Sequence, residues 1–362
     1  MEEKMSFEEL QEIVSVCIDE MIRLKQENEV LKQKNTELEK SISGIVESQK
    51  VLIHNVSQCF DKIDANRRYT NRAMDNIKYE LQDDVAGEDK YLVRFYDDNT
   101  TIKGIKEGKS LIRFGDGEFA IMAGRGRQIF QHYDAGLAGR LREIISINEE
   151  GLMIAVADNY GSLEKYSELG KRGIRDYMTK EIRLEHREFL DLGRIYHNAY
   201  ISRPYVFFAD KETDAPLKRF RQLKQIWDDR DVIFVEGALT RLGVGNDLFD
   251  NAASIRRIEA PATSSFDRYD DILKAALKHA EKGILFLAAL GPSANVLVYD
   301  LYRAGFQAVD IGHIDLEYEW YLSGAKERGA VKTKYNNEFR DGDQVEDVED
   351  SEYLAQIIEK IY

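Results

Sequence analysis

The chain has 362 residues, with 51 Lys and Arg against 66 Asp and Glu, a formal net charge of −15. That acidic balance argues against general nucleic-acid binding, which needs a basic face to neutralise phosphates. Prolines number four (Pro204, Pro216, Pro261 and Pro292), and the proline-free first half invites long helix rather than loop.

The start, Met1-Glu2-Glu3-Lys4, lacks the basic and then apolar run of a secretory signal. The longest strongly apolar run, Ile284 to Leu290, is far short of the ~20 residues that cross a bilayer. Cys17 and Cys59 make neither a disulfide framework nor a Cys-x-x-Cys zinc pattern. The expectation is a cytoplasmic protein with no transmembrane segment.

The first element is a heptad repeat. With Leu10 at d, the d positions are Leu10, Cys17, Leu24, Leu31, Leu38, Ile45, Leu52 and Cys59, apolar or Cys over eight heptads. The a positions are Val14, Met21, Asn28, Asn35, Ile42, Gln49, Val56 and Ile63. Asn at a costs stability but favours a parallel pair in register, where each Asn meets its twin. The g-to-e′ pairs Glu20 with Lys25, Glu27 with Lys32, and Lys34 with Glu39 are attractive in that arrangement. Residues 1–66 therefore read as a parallel homodimeric coiled coil, with both cysteines on its seam. The register decays after Asn66, so 67–90 reads as a helical linker, and Asp83, Asp84 and Gly87 place a junction near 82–92.

From 91 to 362 the pattern changes to short apolar runs alternating with amphipathic stretches. Strands are predicted at Ser110–Phe114, Leu152–Ala157, Ala199–Ser202, Val232–Val235, Ile255–Ile258, Ile284–Ala288 and Ala308–Ile311. Helices fall at Leu137–Ile147, Asp270–Lys282 and Ala294–Ala304, with a short apolar helix, Tyr353–Ile361, after an acidic tail. This is the signature of an α/β domain whose mostly parallel sheet carries helices on both faces and binds ligands at its strand ends.

Several familiar motifs fail on inspection. Gly104 to Ser110 resembles a phosphate loop but has three residues between its glycines and precedes a strand. Gly243-Val244-Gly245 and Gly124-Arg125-Gly126 lack the third glycine of a dinucleotide fingerprint, with Leu248 and Ile129 in its place. No His-x-x-x-His pair and no Gly-x-Ser-x-Gly elbow occurs, so a zinc or serine hydrolase has no support.

Four polar groupings follow predicted strands. The first is Arg113-Phe114-Gly115-Asp116-Gly117-Glu118. If extended, it turns Asp116 and Glu118 to one side, a hard oxygen site suited to Mg²⁺ or Mn²⁺. An acidic turn satisfied by Arg113 and backbone N–H groups is the equal alternative. The second holds Glu236, Arg241, Gly243, Gly245, Asn246 and Asp247. Arg241 could pair with a phosphate and Asp247 could serve as ligand or base, or the run is a turn capping a helix. The third, Gly291-Pro292-Ser293-Ala294, resembles a helix N-terminus able to hold a pyrophosphate or simply to be capped. The fourth, Asp310 to Glu317, offers His313 and Asp315 as polar contacts.

Taken in order, these segments resemble the GT-D type glycosyltransferases, a Rossmann-like family of metal- and nucleotide-sugar-dependent enzymes of bacterial glycan assembly. The motifs are Arg-Phe-Gly-Asp-Gly-Glu at 113–118, Leu-Gly-Val-Gly-Asn-Asp at 242–247, Leu-Gly-Pro-Ser-Ala at 290–294 and Asp-Ile-Gly-His-Ile-Asp at 310–315. Ser202-Arg203-Pro204 and Tyr335-Asn336-Asn337-Glu338 match less specifically. The resemblance covers roughly 90–362 and implies that Asp116 and Glu118 mark the metal–nucleotide site. It implies transfer of a hexose, glucose in the first instance, from a UDP-sugar to a glycan or glycoprotein hydroxyl. Arg113, Arg203 and Arg241 are then candidates for nucleotide or phosphate contacts, together with Gly115, Gly117, Glu236, Gly243, Gly245, Asn246, Gly291, Ser293 and His313. Asp247 and Asp315 are candidate bases for an inverting transfer. A non-catalytic scaffold with a sugar- or nucleotide-binding domain, or a metal-dependent phosphohydrolase, are the competing readings.

Overall fold

The computed structural model describes residues 6–81, 93–126, 130–336, 342, 345–347 and 349–362. The predicted junction at 82–92 and much of the acidic tail lie outside these residues. Helix α1 runs Phe7–Glu80, and the chain divides into two units, residues 1–70 and 71–362. In the first unit the predicted seam is an exposed apolar stripe, Leu10, Val14, Met21, Leu24, Leu31, Leu38, Ile42, Ile45, Leu52, Val56 and Ile63 among it.

The second unit begins with the last turns of α1, where Asn76 and Tyr79 are buried. Its described strands are β1 (Arg94–Phe95), β2 (Ser110–Phe114), β3 (Leu152–Val156), β4 (Ile195–Asn198), β5 (Asp231–Gly237), β6 (Ser254–Ala260), β7 (Leu285–Ala289), β8 (Gln307–Asp310) and β9 (Ile357–Lys360). They form one parallel sheet in the order β1-β4-β3-β2-β8-β7-β5-β6-β9. Between them lie α2 (Asp98–Lys106), α3 (Asp116–Met122), α4 (Ala135–Ser146), α5 (Glu168–Tyr177), α6 (Lys180–Phe189), α7 (Ala215–Lys224), α8 (Tyr269–Lys278), α9 (Pro292–Arg303), α10 (Ile314–Leu322) and α11 (Ser351–Gln356).

Alternation along the strands builds two cores. In β5, Ile233 and Val235 join Leu137, Ile272 and Leu297 from α4, α8 and α9. Val232 and Phe234 join Ile105, Phe220 and Tyr318 from α2, α7 and α10 on the other face. Burial on both faces is why the central strands read as unbroken apolar runs instead of alternating ones. The order reverses between β2 and β8: β2 leads to β3 and β4 on one side, while β8 belongs to the later half. A crevice at the carboxyl ends of such a pair is where open parallel sheets bind ligands.

Two predicted elements shift. The strand expected at Ala199–Ser202 lies at Ile195–Asn198, because the Asn198 side chain accepts from Tyr200 N (3.0 Å) and turns 199–202 into a 3-10 segment. The helix expected at Tyr353–Ile361 ends at Gln356; Ile357–Lys360 instead adds to the edge of β6. The β-branched pair Ile357–Ile358 gains ladder hydrogen bonds there that a short helix would not supply.

Candidate active site

The chain after β2 does not stay extended. Gly115 caps α3, and Glu118, three residues on, turns its carboxylate back to accept from Gly115 N (2.7 Å). This is the capping-box spacing. Asp116 sits at the first helical position, exposed, with Oδ1 accepting from Gly117 N (3.0 Å). The alternating geometry expected for the pair is thus replaced by a helix start, yet both residues line the same cavity. Burial pushes the Glu118 carboxyl above the ordinary carboxylate range, against its hydrogen bond to Gly115 N.

Arg113, at the end of β2, ties the strand ends together. Its Nε donates to Asp310 O (2.9 Å), Nη2 to Asp310 Oδ1 (2.5 Å) and Nη1 to Ser202 Oγ (2.6 Å). Gly312 N donates to the same Asp310 Oδ1 (3.0 Å). Burial still raises the Asp310 carboxyl, with Arg113 opposing. Gly312 has φ +45, and a Cβ there would stand 1.9 Å from Arg113 Nη2, so the guanidinium occupies the space of a side chain.

The helix start after β7 is built from Gly291 and Pro292. Gly291 has φ +55, and a Cβ would meet Phe130 Cε1 at 2.1 Å; only glycine meets both demands. Gly291 and Pro292 line the cavity, whereas Ser293 is fully buried behind it and accepts from Ser265 Oγ (2.9 Å). Asn295 of α9 donates to Arg113 O (2.9 Å), locking α9 to β2.

Asp315 is 2% exposed and both its oxygens are committed. Oδ1 accepts from Gly243 N (3.1 Å) and Asn246 Nδ2 (2.8 Å), and Oδ2 from Lys334 Nζ (2.7 Å). Lys334, 1% exposed, also reaches Glu319 Oε1 (2.8 Å). The segment after β5 thus lines the site only through Thr240 and Leu242, and its polar candidates lie beneath. Glu236 is fully buried against Arg257 (2.6 Å) and accepts from Leu242 N. Arg241 donates to the carbonyls of Thr333 (2.9 Å) and Glu346 (2.7 Å), so the expected phosphate contact is a tie to the C-terminal segment. Asp247 joins Lys224 of α7 (2.8 Å) and Tyr318 of α10 (2.6 Å), away from the cavity. The Lys224 and Tyr318 hydrogen bonds hold its carboxyl below the usual range.

The cavity, about 320 Å³, is lined by Arg113, Gly115, Asp116, Gly117, Glu118, Arg203, Gly291, His313 and Asp315 from the sequence candidates. It is not lined by Glu236, Arg241, Gly243, Gly245, Asn246, Asp247 or Ser293. Arg203 Nη2 lies 3.3 Å from His313 Nδ1, and the Arg203 and Arg328 guanidiniums stand 5.8 and 5.2 Å from the Phe207 ring centre. The lining therefore includes Arg203 and Arg328 beside the Phe207 ring, His313 next to Arg203, and the acidic residues Asp116, Glu118, Asp310 and Asp315, with Arg113 tied to Asp310. Arg328, Phe207, Tyr177 and Asn159 line the cavity without having been singled out. Asn159 follows β3 and was accessible to the strand-end rule; Arg328 and Tyr177 have no local sequence signal. Among the described residues no set of three or more His, Cys, Asp and Glu side chains could hold a metal ion, and no helix is long and apolar enough to cross a membrane.

Comparison with known proteins agrees with this architecture. The GT-D family, described as the glycosyltransferase GT-D fold, matches residues 111–339. A probable glycosyl transferase Gly of Streptococcus gordonii is 39% identical over 257 residues, covering 70% of this chain and 36% of that protein. Glycosyltransferase GlyD of Streptococcus pneumoniae serotype 4 is 38% identical over 258 residues, covering 71% and 31%. The chain thus spans about a third of the length of these curated relatives. A solved structure described as a new glycosyltransferase from Streptococcus sanguinis superposes with TM-score 0.69 at 38% identity, over 75% of this chain and all of that one (100%). Another, of a conserved domain of unknown function with a distinct glycosyltransferase fold, gives TM-score 0.70 at 36% identity, over 75% and 96%. With that match over more than half its length, the chain belongs to the GT-D glycosyltransferase family.

Proposed function

We propose that the cavity binds a UDP-sugar and that the protein transfers its hexose, glucose in the first instance, to a hydroxyl of a bacterial glycan or glycoprotein. The observation that carries this reading is a single cavity at the reversal of a GT-D sheet whose lining includes both arginines and acidic residues. Arg203, Arg328 and His313 supply cationic or donor groups for a diphosphate, while Asp116 and Glu118 stand at the helix start. Guanidiniums suit phosphate oxygens because their fixed N–H fork pairs two acceptors at once. Their hold on the diphosphate would also stabilise the charge that grows on it as the sugar departs.

The carboxylates Asp116 and Glu118 are hard oxygen donors on one wall, the chemistry Mg²⁺ or Mn²⁺ takes, and they would hold such an ion with donor phosphates filling the remaining positions. When bound, the ion would offset charge on the leaving diphosphate. Arg113 keeps the frame rigid: its bonds to Asp310 and Ser202 fix three strand ends whose loops meet the ligand. Of the two expected bases only Asp315 lines the cavity, and its engaged oxygens favour a role in fixing Lys334 and the segment that carries Tyr335. The exposed stripe of α1 supports the parallel homodimer, since an apolar seam of this length is stable in water only when paired. The test of the phosphate site is kinetic. Arg203→Met and Arg328→Met should each raise the donor KM about ten- to a hundred-fold, the range for losing a charged hydrogen bond, with melting temperature unchanged. Unaltered KM in both variants would remove the diphosphate from that corner.

A further inference from the structure

Apart from the residues that line the cavity, the turn between β6 and α8 brings a serine, a histidine and an aspartate into one chain of contacts. His132 Nδ1 lies 3.0 Å from Ser264 Oγ, and His132 Nε2 lies 3.1 Å from Asp267 Oδ1. Ser264 stands where β6 has ended at Ala260 and the short 3-10 turn Ser265–Arg268 leads into α8. A serine at the start of a helix normally has extended backbone and caps the helix with its hydroxyl. Ser264 does neither. Its backbone is left-handed, with φ +48 and ψ +40, and its side chain makes no capping bond. That conformation strains a residue with a side chain, and its Oγ meets the imidazole instead.

The carboxylate sets the order of the bonds. An ionised Asp only accepts, so Nε2 of His132 donates to Asp267. In the neutral ring Nδ1 then accepts, and the Ser264 hydroxyl donates to it. Nucleophile, base and orienting carboxylate thus stand in hydrogen-bond sequence, the arrangement that activates a serine, with the two ring nitrogens exchanged relative to the usual triad. The backbone holds the serine in place: Ser264 N donates to Phe130 O (2.7 Å), and Asp267 N donates to Ser264 O (3.0 Å). The His132 and Asp267 side chains are 51% and 53% exposed, so the group opens to solvent and suits a small acyl group rather than a long chain. Thr263 and Ser265 flank Ser264 where an elbow motif has other residues, so only the folded chain shows the constellation.

We propose that Ser264 is a nucleophile toward small carboxylic esters, with His132 as its base and Asp267 as the positioning residue for the ring, an activity separate from sugar transfer. Ser264 Oγ bonds to the ester carbonyl carbon while its proton passes to His132 Nδ1, and the carbonyl electron pair shifts onto oxygen. As that pair returns, the bond to the alcohol oxygen breaks, and the alcohol leaves with the proton from His132. Water repeats the two steps on the acyl-serine, releasing the acid and restoring Ser264.

The test treats the full chain with a fluorophosphonate probe and, in parallel, with p-nitrophenyl acetate. The expected result is a covalent adduct on the peptide that carries Ser264, and p-nitrophenol release that depends on this residue. Ser264→Gly, which suits a positive φ, should abolish the adduct with no fall in melting temperature. His132→Gln should slow labelling about a hundred-fold, the share of a general base. Asp267→Asn should slow it too, and Asp267→Glu, which keeps the acceptor, should restore it. A purely structural role would move melting temperature and leave the labelling rate unchanged. No adduct on Ser264, an adduct formed as fast in His132→Gln, or p-nitrophenol released as fast by Ser264→Gly would each overturn the proposal.

Discussion

At the scale of single residues, the close approach of Gly312 to Arg113 makes a sharp prediction. Gly312→Ala must place a Cβ on the guanidinium at a positive φ, so it should cost about 2 kcal/mol or more in urea unfolding; a midpoint equal to wild type would contradict the packing. The Glu236–Arg257 pair, 0% and 3% exposed, makes another. Arg257→Met leaves Glu236 buried and unpaired, at about 3–5 kcal/mol at pH 7. Burial already raises the Glu236 carboxyl, and Arg257 opposes it; without Arg257 it rises further. A carboxyl raised on folding contributes stability below its unfolded value and loses it as pH climbs through the folded one. The variant should therefore be less destabilised at pH 5 than at pH 8, and equal cost at both would refute this. The sequence shows Asp116 and Glu118 as a carboxylate pair after a strand, but not their geometry. The Gly115-to-Glu118 spacing serves a helix cap as readily as a strand, and the cap won because it satisfies Gly115 N.

At the scale of elements, α1 was legible from heptads that extend far beyond chance, and its seam is exposed in the single chain. If two chains pair in parallel and in register, Cys17 meets Cys17 and Cys59 meets Cys59 on the seam. Mild oxidation of the full chain should then give disulfide-linked dimers that vanish in the Cys17→Ser, Cys59→Ser double variant. Crosslinks absent from a chain that sediments as a dimer would exclude this register, and a monomer would exclude the coiled coil. Strand β4 was displaced by four residues in the sequence reading because Ile195-Tyr196-His197-Asn198 and Ala199-Tyr200-Ile201-Ser202 carry similar apolar content. The turn made by Asn198 decides between them, and it depends on a side-chain bond rather than periodicity. Strand β9 was missed for a related reason: a short apolar run at the end of a chain gains its identity from the β6 edge it joins.

At the scale of the whole molecule, strand-helix alternation was enough to predict a parallel sheet covered on both faces. It did not show which polar groups would meet. All four clusters reach one cavity, the Glu236–Asp247 group through Thr240 and Leu242, while its Gly243 and Asn246 brace Asp315. Arg328, Tyr177 and Phe207 arrive from distant segments and were invisible to local spacing. The central claim is that this cavity moves a sugar from a nucleotide to a hydroxyl, and one measurement addresses it directly. The purified chain is incubated with a panel of nucleotide sugars, Mn²⁺ or Mg²⁺ and candidate glycan acceptors, following nucleotide release and product mass. The account predicts release of intact UDP with acceptor mass raised by one hexose, and at least about a hundred-fold loss in Asp116→Asn and Glu118→Gln, as for removal of a group stabilising a leaving anion. Inorganic phosphate without UDP, or equal turnover in the two variants, would contradict it.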